Sequence, residues 1–242
     1  MAEGTRLRAR GAAAASEPRA RSGTRQDNVR LRVLHASAKL FLERGYTAST
    51  LRDIAKEAEV SYGSLAFALG SKENILALLV EHVIDGQFEK ARAMTEGTGA
   101  DALKIWAAEC TLQLHLAESS EHMRELYSLS YSLQAPSEVI HKKLSEILAA
   151  TFRDYCPLGE ACDFYERELA TSGIMRSFIT KRCDVYFTME RKVRAMLENA
   201  MRMWGVPAEE IDEVTEFVRR FDWKAAAEDI TNAMLEYFKS RI

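Results

Sequence analysis

Between Val29 and Glu81 the apolar residues recur three and four apart, and short polar breaks divide the pattern into four helices. "VRLRVLHASAKLFLERGY" places Val33, Leu34, Ala38, Phe41 and Leu42 on one broad face, and Gly45 suits the left-handed position that closes a helix. "TLRDIAKEA" follows, with Leu51, Ile54, Ala55 and Ala58 inward. Thr50 and Asp53 have the spacing of a capping box, with Asp in the usual place of Glu. After the turn Glu59-Val60-Ser61 comes a run that ends at Leu69 and has room for only about two helical turns. Leu65 and Leu69 point it inward, which leaves Tyr62, Ser64, Ala66 and Phe67 outward. Ser71 caps the fourth helix, which carries Ile75, Leu76, Leu79 and Val83 in period.

The same period continues to the end of the chain. It predicts helices over about 101–117, 121–133, 137–154, 161–181, 184–204, 208–221 and 223–240, punctuated by Pro136, Pro157, Gly205-Val206-Pro207 and Phe221-Asp222. No alternating segment of useful length reads as a strand, so the expected fold class is all-α. Residues 1–27 lack an apolar period and hold six arginines against three acids. They are expected to form a disordered basic tail.

Charge sharpens the division. Residues 1–80 hold thirteen Lys/Arg against eight Asp/Glu, and residues 81–242 hold twenty against twenty-eight. A basic N-terminal part on an acidic body points to a polyanion partner for the first part only. No run of about 18 apolar residues appears, so no membrane span is expected, and the reading is a cytoplasmic protein. Cys110, Cys156, Cys162 and Cys183 lack metal-ligand spacing and are expected as free thiols. Phosphate loops, dinucleotide turns, zinc-protease helices and nucleophile motifs are absent, so neither an enzyme, a metal site nor a cofactor is expected.

The short third helix makes sense as a probe. A helix, a three-residue turn and a second short helix over residues 50–69 form a helix-turn-helix, whose second helix enters a DNA major groove about 12 Å wide. Ser61, Gly63 and Ser64 keep its leading end small, and the free N–H groups there favour phosphate. With "VLHASAKLFLERGY", "TLRDIAKEAEVSYGSL" and "SKENIL" in this order, residues 30–76 resemble the DNA-binding domain of the TetR (tetracycline-repressor-like) family of bacterial transcription regulators.

The resemblance implies a helix-turn-helix domain over 28–74 and a helical ligand-binding and dimerisation domain over 75–242. It implies that Thr50 and Arg52 contact backbone or a base edge, that Ser61, Tyr62, Gly63, Ser64 and Phe67 form the recognition surface, and that Lys72 contacts phosphate. The partners it implies are a double-stranded DNA operator, a small-molecule effector and a second copy of the chain. Candidate effector contacts are Trp106, His115, Tyr127, Tyr131, Met175, Phe178 and Tyr186. The helices containing "FYERELATSGIMRSFI" and "AAAEDITNAMLEYF" have small and apolar faces suited to a dimeric bundle. Two departures stand out. Ala66 occupies a place where the family carries a ring or hydroxyl, and Glu59 replaces the usual turn glycine. They leave open a second reading, a helical sensor or adaptor whose DNA binding has weakened or been lost.

Overall fold

A computed structural model describes residues 20–240 as eleven α-helices and one 3-10 turn, with no strand among the described residues. The first four helices are α1 (Ala20–Arg44), α2 (Leu51–Glu57), α3 (Tyr62–Leu69) and α4 (Lys72–Thr95). Three of them begin where a side chain takes an otherwise unpaired N–H group. Thr50 accepts from Asp53, Ser61 from Ser64 and Ser71 from Asn74. The tail expected over 1–27 requires correction in part: residues 1–19 lie outside the described residues, but 20–27 are the first turns of α1. Past Pro18, Ala20, Arg21, Arg25 and Gln26 are good helix formers, and the helix carried by the Val33 face extends back through the less favourable Ser22-Gly23-Thr24.

The first three helices enclose a small core in which Val33, Leu34, Phe41, Ile54, Leu65 and Leu69 are buried. Long α4 leaves this core and runs into the body as one continuous helix. The body comprises α5 (Ala102–Ser119), α6 (Glu121–Ser130), α7 (Gln134–Thr151), α8 (Ala161–Thr180), α9 (Met189–Met203), α10 (Ala208–Val218) and α11 (Trp223–Lys239). Central α5 buries apolar residues all round, from Leu103 to Ala117, as a helix packed on every side must. At the far end Trp204 stacks on Phe152 with centroids 4.5 Å apart, Trp106 meets Phe152 edge-on, and the Trp204 indole donates to Thr171 Oγ1 at 3.0 Å.

Two helix starts differ clearly from the sequence expectation. Helix α7 starts at Gln134 rather than after Pro136, because a proline in the first turn lacks an N–H that would have had no partner anyway. Helix α9 starts at Met189, not 184. Asp184 Oδ1 accepts the N–H groups of Tyr186 and Phe187 at 2.8 Å each, which holds a turn, and Thr188 then caps the helix. Helix α11 packs on α1, α4 and α5 of its own chain, and Trp223, Ala226 and Ala227 are buried there.

Candidate nucleic-acid interface

The outer face of α2 and α3 is built by the residues that hold their ends. Thr50 and Asp53 form the complete capping box. Asp53 N–H donates to Thr50 Oγ1 at 3.2 Å, and Thr50 N–H and Oγ donate to Asp53 Oδ2 at 3.0 and 2.6 Å. The Thr50 hydroxyl, followed by its backbone N–H, holds the Asp53 carboxyl below the usual carboxylate range. Ser61 Oγ accepts from Ser64 N–H at 3.0 Å and lies 2.8 Å from Ser64 Oγ. Both hydroxyls therefore sit together at the exposed nose of α3.

Behind that nose Leu65 is fully buried and Leu69 nearly so, while Tyr62 and Phe67 are 53% and 81% exposed. Gly63 has no internal reason to be glycine. A Cβ there would meet only Ser61 Oγ, at 3.9 Å. Arg52 is exposed on α2 and has no ion-pair partner among the described residues. Ala66, expected to face outward, is half-buried beside a shallow groove that Arg30 and Ala77 also line.

Two residues behave differently from a simple contact surface. Glu59 has φ 50°, the one positive φ outside glycine among the described residues. Arg32 Nη2 reaches both its carbonyl and its carboxylate at 3.1 Å, which anchors the turn against α1. Lys72 does not extend towards the outer face. Its ammonium donates to the carbonyls of Tyr46 and Ser49 at 2.9 Å each and lies 4.1 Å from the Tyr46 ring centre. Burial lowers its pKa, and nearby Glu125 opposes that shift.

Comparison with known proteins agrees with this geometry. Residues 33–79 match the profile described as bacterial regulatory proteins, tetR family. These residues are thus similar to the N-terminal DNA-binding domain of TetR-family regulators. The HTH-type transcriptional regulator HbdR of Aromatoleum sp. (strain CIB) is 37% identical over 68 residues, 28% of this chain and 30% of that protein. The HTH-type transcriptional repressor KstR2 of Rhodococcus jostii (strain RHA1) is 32% identical over 98 residues, 40% and 48% of the two chains. The chain thus spans less than half the length of these curated relatives. Among solved structures, RolR in complex with resorcinol aligns with TM-score 0.61 at 16% identity, covering 80% of this chain and 95% of that one. Thermus thermophilus FadR in complex with lauroyl-CoA aligns with TM-score 0.52 at 20% identity, covering 72% and 92%. Both likenesses concern the fold.

The second candidate site is a cavity of about 70 Å³ under the helix-turn-helix. Ala38 and Phe41 of α1 form its roof, and α4, α5, α6, α7 and α11 supply its walls. Of the seven effector candidates, Tyr127 and Tyr131 line this cavity. His115 lies in a separate crevice with Trp223 and Arg219, and burial lowers its pKa. The other four line neither of these sites. Trp106 belongs to the Phe152 and Trp204 cluster, Met175 is buried in the core, and Phe178 packs on Phe187. Tyr186, in the Asp184 turn, is 85% exposed. The sequence reading missed Gln87 and Gln113, both buried cavity residues. Their signal was present: Val80, Ile84, Gln87 and Ala91 form one inward stripe of α4 with an amide at a core position.

Helix α6 joins the two sites. Its Met123, Leu126, Tyr127 and Ser130 line the cavity. On its other side, Glu125 Oε2 and Oε1 accept the N–H groups of Tyr46 and Thr47 at 3.0 Å each, and His122 Nδ1 lies 2.9 Å from the Leu42 carbonyl. Gly45 makes this approach possible. With φ 87° it takes a conformation open to glycine, and a Cβ there would fall 2.5 Å from Glu125 Oε2.

Proposed function

We propose that this protein is a transcriptional regulator that binds a near-palindromic DNA operator as a homodimer in the cytoplasm and releases it when a small molecule fills the central cavity. The observation that carries the reading is the outer face of α3, with Tyr62 and Phe67 left in water and Gly63 unexplained by the fold. Two exposed rings on one short helix whose inner side is already used offer an apolar surface for a partner to cover. Serine and tyrosine hydroxyls can meet phosphate or base edges, Phe67 can meet a thymine methyl, and Arg52 can meet phosphate. A single short helix reads few base pairs, so two related by a dyad are needed for a selective site. The outer side of α8, with Tyr165 and Leu169 partly exposed and Gly173 open, is the surface assigned to that dyad.

The proposed coupling is mechanical. A ligand pushing on Leu126 and Tyr127 moves α6, and Glu125 and His122 carry the displacement to the turn after α1. The ligand acts only by as much as it favours one position of α6 over the other. Fluorescence anisotropy with fragments of the gene's own upstream region tests the reading. Selective, salt-sensitive binding by a dimer is expected. A monomer at micromolar concentration, or equal affinity for all fragments, overturns it.

A further inference from the structure

Among the polar groups that line the central cavity, one fully buried atom lacks a partner, Gln87 Oε1. Tyr131 O–H donates to Gln113 Oε1 at 2.9 Å, Ser130 Oγ to the Leu126 carbonyl at 2.8 Å, and Thr231 Oγ1 to the Ala227 carbonyl at 2.9 Å. Gln87 is wholly buried, and its Nε2 donates to the Tyr127 hydroxyl. That bond leaves Gln87 Oε1 without a partner, and no acceptor among the described residues takes the Tyr127 proton. Turning the amide over merely exchanges the roles, leaving an N–H and a phenolic lone pair. Either way one donor and one acceptor remain adjacent in an apolar cavity, where unpaired polar groups are costly.

From this pair we infer that the effector is a small neutral molecule with a hydroxyl group on an apolar body, its hydroxyl bonded to both Gln87 and Tyr127. This inference rests on the reading of the cavity as the effector site. A hydroxyl is the smallest group that donates and accepts at once, so it satisfies both orphans in either amide orientation. Neutrality follows from the lining. No Lys, Arg, His, Asp or Glu lines the cavity, so a carboxylate, phosphate or ammonium would be buried without a counter-charge. Size follows from the volume. About 70 Å³ is less than the roughly 150 Å³ of an engineered apolar cavity that takes benzene. A single ring therefore enters only if the flexible Met123 side chain gives way. The way in lies between α4 and α11, where Val83 and Ile230 line both the cavity and the outer groove.

Isothermal titration of the full chain with phenol, toluene and sodium benzoate tests the assignment. The wild type is expected to bind phenol at least tenfold more tightly than toluene and to ignore benzoate at millimolar concentration. Gln87→Leu and Tyr127→Phe, each checked for a wild-type melting curve, should bring phenol down to the toluene level. Equal binding of toluene, binding of benzoate, no binding of any probe, or a preference for phenol that survives in a folded variant overturns it. DNA is absent from these titrations. Phenol bound as expected without any change in operator affinity would therefore contradict the regulator reading and leave the ligand class standing.

Discussion

Glu125 on α6 accepts the backbone N–H of Tyr46 at 3.0 Å, so a body helix terminates a turn of the helix-turn-helix domain. The contact depends on Gly45, where a Cβ would collide with the same carboxylate and the backbone has φ 87°. Gly45→Ala should therefore cost about 1–2 kcal/mol from the left-handed backbone alone, and more from the displaced carboxylate. Urea unfolding measures this. Glu125→Gln, which keeps one acceptor oxygen, should cost less than Gly45→Ala, and a reversed order would mean that the seam is loose.

The turn between α2 and α3 stores strain at Glu59. Replacing it by glycine removes the positive-φ penalty of about 1–2 kcal/mol. The Arg32 bond to the residue 59 carbonyl survives, and the lost exposed ion pair is worth at most about 1 kcal/mol. Glu59→Gly is expected to raise the urea midpoint slightly. A clear loss of stability would show that the Arg32–Glu59 pair outweighs the strain.

Lys72 and Arg52 should separate stability from DNA affinity. Lys72→Ala removes two charge-assisted bonds to the Tyr46 and Ser49 carbonyls and should cost roughly 1–3 kcal/mol of stability. Arg52→Ala should leave the melting curve unchanged and lower the salt dependence of DNA binding by about one. Paired thermal melts and salt titrations distinguish the two effects.

One buried and one half-buried carboxyl give stability an optimum in pH. Burial pushes Glu109 up to about 8 from an unfolded value near 4.5, so the native state holds a proton that the unfolded chain has lost across that window. Stability from this group is full below the window and falls as pH rises through it, by about 1.4 kcal/mol per pH unit. Glu118 has the opposite sign. Burial raises its pKa, but the ammonium of Lys192 at 2.7 Å and the Cys183 N–H outweigh that and hold it low. Its contribution is present above the unfolded value and is lost as pH falls below that value. Glu109→Gln should flatten the alkaline side of the stability curve, whereas Glu118→Gln strands the buried Lys192 and should cost about 3–5 kcal/mol near neutrality.

The helix-turn-helix was legible because its signals are local. Caps at Thr50, Ser61 and Ser71, the Leu65 and Leu69 pair, and Gly45 each act within a few residues, and the structure places all of them as their spacing implies. Glu59 was legible only through the resemblance, as a residue in the place of the family's usual turn glycine, and its φ of 50° fits that place. The effector candidates were less so. Trp106 and Met175 carry the same apolar signature as a cavity wall, and only the packing of α5 on Phe152, at the end of α7, or of α8 into the core decides their place. Tyr186 was lost to a turn made by a single Asp184 oxygen, which helical period does not register. Lys72 turned inward because carbonyls 23 and 26 residues away converge on it, a relationship no local pattern contains.

The central claim is that the exposed side of α3 reads DNA. Its most direct test is the double variant Tyr62→Ala, Phe67→Ala, compared with wild type by anisotropy on an operator fragment and on a scrambled fragment of equal length. Both side chains are largely in water, so the melting temperature should not fall. The wild type should prefer the operator, and the variant should lose that preference, by up to roughly 1–3 kcal/mol per lost base contact, while keeping its salt-dependent affinity for either fragment. An unchanged preference in the variant would contradict the claim.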